Sequence, residues 1–370
     1  MKAVVIAFLA MLLAVQANAE QCSWPEWEHF AANYIDDDGK VVDGSDERQI
    51  TTSEGQSYAM FFALVAGDKQ RFQQLLDWTS ANLVDGSLAT QLPAWLWGQG
   101  EKEKGIIDAN AASDADLWIA YSLAEAGRLW SNHEYRTLSF YLAKLIERKE
   151  TAQTESYGAV LLPAPYGFVM DDGDVRLNPS YLAPQLLRRM ATLYPGSSWP
   201  EIERSAYKLL IDSAPDGYSP DWFRLSGSRI MPDPSKGYVG SYDAIRVYLW
   251  IGMLHKDSPH RDNLVQHFSM MAALTDVLGT PPETVDIATS TWQGDGPYGF
   301  SAAMIPLLRQ TDMGAAAAKQ KARVVKAMQS ASGRDSYYNT VLSLFAMGWE
   351  QGRYKFGPEG QLEVLKGGCE

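Results

Sequence analysis

The sequence predicts an all-α fold, an (α/α)6 barrel of six inner and six outer helices with small β-hairpin insertions at the cleft. Three observations carry that reading. Twelve stretches have helical rather than strand period. They alternate in character: one member of each pair is apolar and rich in small residues, and the other is amphipathic with a charged face. Each apolar member opens on a polar or aromatic cluster, and the first five clusters begin between 57 and 66 residues apart, with the sixth following sooner. Repeats of that size also occur in solenoids. A solenoid gives no reason for functional-looking residues at every entrance, whereas a closed ring gathers all of them at one end.

In chain order the expected helices are 25–34, 56–66, 69–82, 112–129, 132–149, 179–193, 199–213, 242–254, 260–277, 299–308, 313–329 and 336–351. The entrances are Ser53-Glu54-Gly55, Ala112-Ser113-Asp114, Asn178-Pro179-Ser180-Tyr181, Ser241-Tyr242-Asp243, Tyr298-Gly299-Phe300-Ser301 and Asp335-Ser336-Tyr337-Tyr338. Strand character is confined to a Pro-broken stretch over 157–170 and a hairpin over 222–231 that turns at Ser226-Gly227-Ser228.

The first nineteen residues combine a basic start at Lys2, an apolar run and Ala17-Asn18-Ala19, the pattern of a secretory leader cut after Ala19. No later stretch reaches the roughly 18 apolar residues of a membrane span. The expectation is a soluble periplasmic or secreted protein, with residues 20–370 forming one domain because no low-complexity linker divides them. Cys22 and Cys369 stand near the two mature ends, and an even cysteine count in an exported chain permits a disulfide between them. Two free thiols are the alternative. The net charge of −13 argues against nucleic acid and anionic membranes, which need a basic face, and is indifferent to a neutral polymer.

Three carboxylates stand at inner entrances: Glu54, Asp114 and Asp243. Any one could be a helix cap that satisfies free N–H groups. A closed barrel makes the set more telling, because all three then share one cleft. Glycoside hydrolysis needs two carboxyl groups across the scissile bond, one protonated and one ionised. Glu54 is the candidate acid. A helix N-terminus favours its ionised form, so burial and the neighbouring Asp114 are expected to hold its proton. Arg246, one turn after Asp243, is placed to brace that acid.

Aromatics flank these positions: Trp95, Trp97, Tyr181, Trp222, Tyr242, Trp292 and Tyr337. Flat rings beside hydrogen-bonding groups suit the apolar faces and polar rims of a polysaccharide. The five histidines fall outside the entrances, which disfavours a Ser-His-acid triad. No Cys/His cluster or calcium-loop spacing calls for a metal, and no phosphate loop is present, so no cofactor is expected.

The run from Ala112 to Trp130 resembles, almost position by position, the signature of glycoside hydrolase family 8. Thr52-Ser53-Glu54-Gly55-Gln56-Ser57-Tyr58, Asn178-Pro179-Ser180-Tyr181, Ser219-Pro220-Asp221-Trp222 and Tyr242-Asp243-Ala244-Ile245-Arg246 resemble further blocks of that family, in its order. Ala115 stands where many members have Gly, a change the signature permits. Within the family the chain is most similar to periplasmic endoglucanases encoded with bacterial cellulose synthase. The resemblance implies an (α/α)6 barrel and an inverting endo-β-1,4-glucanase that needs no metal. It implies Glu54 as proton donor, Asp243 as the base that activates water, and Asp114 as the residue positioning the sugar. It also implies a cellulose chain as substrate and the cellulose synthase complex as a candidate partner. Other polymers (xylan, mixed-linkage glucan, chitosan) and a non-catalytic glucan-binding role remain as alternatives at this stage.

Overall fold

The computed structural model describes residues 23–364 except 102 and 331–336. The leader, Cys22, Cys369 and the Asp335-Ser336 entrance lie outside the described residues. The described residues form twelve α-helices: α1 (Pro25–Tyr34), α2 (Ser53–Ala66), α3 (Lys69–Asn82), α4 (Ser113–Leu129), α5 (His133–Lys149), α6 (Pro184–Leu193), α7 (Trp199–Asp212), α8 (Ala244–Gly252), α9 (Arg261–Leu278), α10 (Tyr298–Gln310), α11 (Gly314–Ser330) and α12 (Tyr337–Glu350). None is long and apolar enough to cross a membrane.

The even-numbered helices from α2 to α12, excepting α6, are apolar on nearly every face and buried around their whole circumference. The outer helices α3, α5, α7 and α9 bury one stripe each. Each outer helix lies against the inner helix that precedes it, and α1 backs α2 and α12. The inner ring is therefore an (α/α)6 barrel. Tyr58, Trp118, Trp250 and Phe345 meet on its axis, with ring centroids 5.0–5.8 Å apart between neighbours. Phe345 of α12 also packs 4.6 Å from Phe62 of α2, which closes the ring. The lumen is thus a packed aromatic core, and chemistry is confined to its mouth.

Local sequence sets the helix ends. Thr52 Oγ1 accepts from Gly55 N–H, and Asp68 and Asn132 cap α3 and α5 in the same way. The expected helix 179–193 is broken instead. Pro179–Tyr181 forms a 3-10 turn and α6 restarts at Pro184. Pro184 has no N–H for the Ser180 carbonyl and disfavours helical backbone at Ala183. The Trp250 indole N–H takes that carbonyl, at 3.0 Å. Gly252 is required by close approach, since a Cβ there would lie 2.3 Å from the backbone nitrogen of Leu307 on α10.

Short antiparallel strands line the mouth and close the far end. At the mouth, β1 (Thr51–Thr52), β2 (Leu96–Gln99) and β3 (Lys104–Asp108) form one sheet. β4 (Thr151–Thr154) pairs with β5 (Gly158–Leu161), and β6 (Val175–Leu177) joins the expected hairpin of β7 (Phe223–Ser226) and β8 (Arg229–Pro232). β9 (Val239–Gly240), β10 (Pro282–Asp286) and β11 (Thr291–Asp295) form a third sheet beside the α8 entrance. At the opposite end β12 (Tyr354–Phe356) and β13 (Leu362–Val364) plug the barrel, with Tyr354 and Phe356 against Phe61.

Candidate active site

The three entrance carboxylates meet at one guanidinium. Arg246 on α8 is buried, with Nη2 2.9 Å from Asp243 Oδ1, Nη1 3.5 Å from Glu54 Oε2, and Nη2 4.0 Å from Asp114 Oδ2. It also donates to Ser180 Oγ at 2.9 Å and to the Tyr338 hydroxyl at 3.4 Å. Four inner-helix entrances and the last one, through Tyr338, are thereby drawn to one cation.

Each acid is placed by a contact distant in sequence. β1 pairs with β2 and Ser53 N–H donates to the Trp95 carbonyl, fixing the turn that carries Glu54. Ser113 N–H donates to the Pro163 carbonyl, fixing the first turn of α4. Asp221 accepts from the N–H groups of Ser241, Asp243 and Ala244 at 2.7–3.0 Å, so it caps α8 from outside the helix. This capping delays the α8 start to Ala244. The Asp243 side chain is held on both oxygens, by Arg246 and by the Trp222 indole N–H at 3.0 Å.

The environments of the acids differ. Asp114 is 4% exposed; Oδ1 accepts from Ala115 N–H, while Oδ2 is buried with no hydrogen-bond partner. Burial pushes its carboxyl well above the usual range, and the adjacent Glu54 pushes it further, against the opposing pull of Arg246. Burial, with Asp243 second, also pushes Asp221 up to about 6. Proton affinity is raised at Asp114, which α4 carries deeper than α2 carries Glu54. A buried carboxyl crowded by a second carboxylate favours keeping a proton, and Asp114 beside Glu54 is placed to do so.

The aromatics divide into cleft and core. Tyr181 lies 6.1 Å from Trp222, and its phenol is pushed up first by burial and then by Asp114 and Asp243. Trp222 stacks on Phe168 and lies under the Arg176 guanidinium, 4.3 Å from its centroid, in addition to holding Asp243. Tyr242 is exposed on the rim, edge-on to Phe300 at 5.0 Å, with its hydroxyl donating to Glu283. Trp292 is exposed on β11. Trp95 is half-buried, and its backbone joins the α2 and α4 entrances through Ser53 and Asn110. Trp97 packs edge-on to Trp78 of outer helix α3, with the Lys40 ammonium nearby. Tyr337 is buried against Phe30 and Tyr34, its hydroxyl so close to Gly55 that a Cβ there would stand 2.5 Å away.

Sequence reasoning did not single out Asp221, Ser180 or Tyr338 as site residues. Asp221 lies in the Ser219-Pro220-Asp221-Trp222 block, whose spacing carries no sign that its carboxylate crosses to the α8 entrance. Among the described residues, no group of three or more His, Cys, Asp or Glu side chains is set to hold a metal ion.

A helical barrel whose mouth gathers acids, one guanidinium and an aromatic rim defines a glycan-cleaving enzyme. The model of glycosyl hydrolases family 8 matches residues 1–352, and the chain belongs to that family. It is 45% identical to an endoglucanase of Escherichia coli (strain K12) over 95% of this chain and 94% of that one. It is similar to the crystal structure of endo-1,4-D-glucanase from Vibrio fischeri ES114, with TM-score 0.89 and 45% identity over 92% of this chain and 99% of that one. It is also similar to the endo-beta-1,4-glucanase CMCax from Acetobacter xylinum, with TM-score 0.71 and 25% identity over 88% and 97%.

Proposed function

We propose that the protein is an endo-β-1,4-glucanase that cleaves cellulose-type chains with inversion, in the periplasm, during bacterial cellulose synthesis. The observation that carries the reading is the single guanidinium holding Glu54, Asp114 and Asp243 at one mouth. The names of the relatives support a β-1,4-glucan as substrate, and the leader pattern of residues 1–19 is the ground for proposing the periplasm.

In this mechanism a glucan chain lies across the mouth with its apolar ring faces on exposed aromatics such as Tyr242 and Trp292. Glu54 takes the shared proton from Asp114 and passes it to the leaving glycosidic oxygen. Asp243 removes a proton from water as that water attacks the anomeric carbon from the opposite face. The old C–O bond breaks, the new one forms, and the configuration inverts. Arg246 and Trp222 keep Asp243 aimed, each holding one of its oxygens. Sharing one guanidinium keeps the Glu54 and Asp243 oxygens within about 9 Å of each other, a bound compatible with a water between them. Asp114 then faces the sugar at the cleavage point.

The test is depolymerisation by protein recovered from the periplasmic fraction. Carboxymethylcellulose is expected to lose viscosity well before reducing ends accumulate, with xylan, mixed-linkage glucan and chitosan cut more slowly. Preference for another polymer would replace the substrate. Binding with zero turnover would leave a glucan-binding component of the export apparatus, and recovery from the cytoplasm alone would remove the compartment.

A further inference from the structure

Behind Asp114 lies a second pair of acids that the mechanism above does not use. Asp116 is on the first turn of α4, and Glu150 directly follows α5. Both are fully buried. None of their four carboxyl oxygens meets an N–H, hydroxyl or cation among the described residues. Glu125, at the other end of the same helix, shows what a buried carboxylate normally gathers. It takes Arg189, Arg128 and the N–H of Leu362, all within 2.9 Å. Asp116 and Glu150 have only each other.

Two bare carboxylates cannot remain ionised in such a place. A single proton shared between them satisfies both, one as donor and one as acceptor, and leaves one negative charge. Burial pushes both carboxyls well above their usual range, and the charge of Asp114 pushes in the same direction. That repulsion is reciprocal. The pair is also joined to the active-site turn by backbone. Leu162 N–H donates to the Glu150 carbonyl, and the next residue, Pro163, accepts from Ser113.

We propose that Asp116 and Glu150 are positioning residues for the catalytic proton: they hold one proton and one negative charge behind Asp114, and that charge keeps the Glu54–Asp114 pair loaded with its proton. The inference rests on the functional reading above. The groups facing Asp114 are Glu54 and Tyr58 from α2, Tyr181 from the 3-10 turn and Arg246 from α8. Arg246 is itself faced by Asp243 and Tyr338. Lys149 acts on Glu150 in the opposite direction, after burial, Asp116 and Asp114. Arg246 pulls the proton off Asp114, and the buried pair opposes it.

The experiment is the pH profile of kcat/KM for the wild type, Asp116→Asn, and the double variant Asp116→Asn/Glu150→Gln. The double variant keeps the shape of the pair with two amides and removes its charge, whereas Asp116→Asn leaves that charge on Glu150. Loss of the charge in the double variant is expected to lower the basic limb by about one pH unit with the acidic limb unmoved, while Asp116→Asn, whose amide donates to an ionised Glu150, keeps the limb near its wild-type position. The infrared spectrum of the wild type at neutral pH is expected to contain a buried protonated-carboxyl band that the double variant lacks. A purely structural pair would lower thermal stability and leave the basic limb in place, which would overturn the proposal. So would a wild type lacking that band. A wild-type profile with no basic limb would instead overturn Glu54–Asp114 as the proton source.

Discussion

Glu54→Gln is expected to lower kcat by about 10²–10⁴-fold while affinity for cello-oligosaccharides stays within a few-fold of wild type. The amide keeps the size of the side chain and its reach to Arg246 but has no proton to give the leaving oxygen. The loss belongs to kcat because the donated proton matters only as the glycosidic bond breaks. Isothermal titration with a cello-oligosaccharide, beside initial rates on the same ligand, separates the two quantities. Near-wild-type turnover would reduce Glu54 to a residue of the first turn of α2.

The second large effect belongs to Arg246→Met. The buried guanidinium contacts Asp243, Glu54 and Asp114, and its removal strands three carboxylates around an apolar side chain. Breaking a buried pair in this way costs about 3–5 kcal/mol. The deficit should depend on pH. The folded-state proton affinity of Asp114 is already raised, so its protonated form contributes stability that is fully present below the unfolded carboxyl range and lost as pH rises. Without Arg246, Asp114 holds its proton more tightly still. The deficit is therefore largest at neutral pH and shrinks as pH falls toward about 4. Chemical denaturation of wild type and variant at pH 5 and pH 7.5 measures it. An equal deficit at both would show that Arg246 acts through packing alone.

The barrel was legible because its signal is local. An inner helix such as α10, apolar on every face, differs in composition from an outer helix such as α11, and caps such as Asp68 and Asn132 mark the boundaries. The exception at 179–193 was also local: Pro184 contradicted the helix, and the periodicity masked it. The entrance acids could be read for the same reason, since each opens an apolar helix. What was not legible depends on contacts across the fold. Nothing near Arg246 in sequence shows that it also reaches Glu54 and Asp114. Asp221 caps a helix some twenty residues on, and the partner of Asp116 stands just past the end of α5, a whole helix further along the chain. Aromatics were the least readable class. Tyr337 and Tyr242 both sit at entrances, yet one is packed under Glu54 and the other is exposed on the rim. Composition does not separate a ring buried in a core from one facing a groove.

The positions of Glu54 and Asp243 about the shared guanidinium amount to a claim about stereochemistry: the proton arrives on one side of the sugar and the water on the other. Proton NMR of a cello-oligosaccharide digest, recorded before mutarotation, reads that directly. The α anomer should be the first reducing end to appear, with the β anomer growing in later. A β anomer formed first would contradict the account, because Asp243 would then have to act as a nucleophile and not as the base that holds a water.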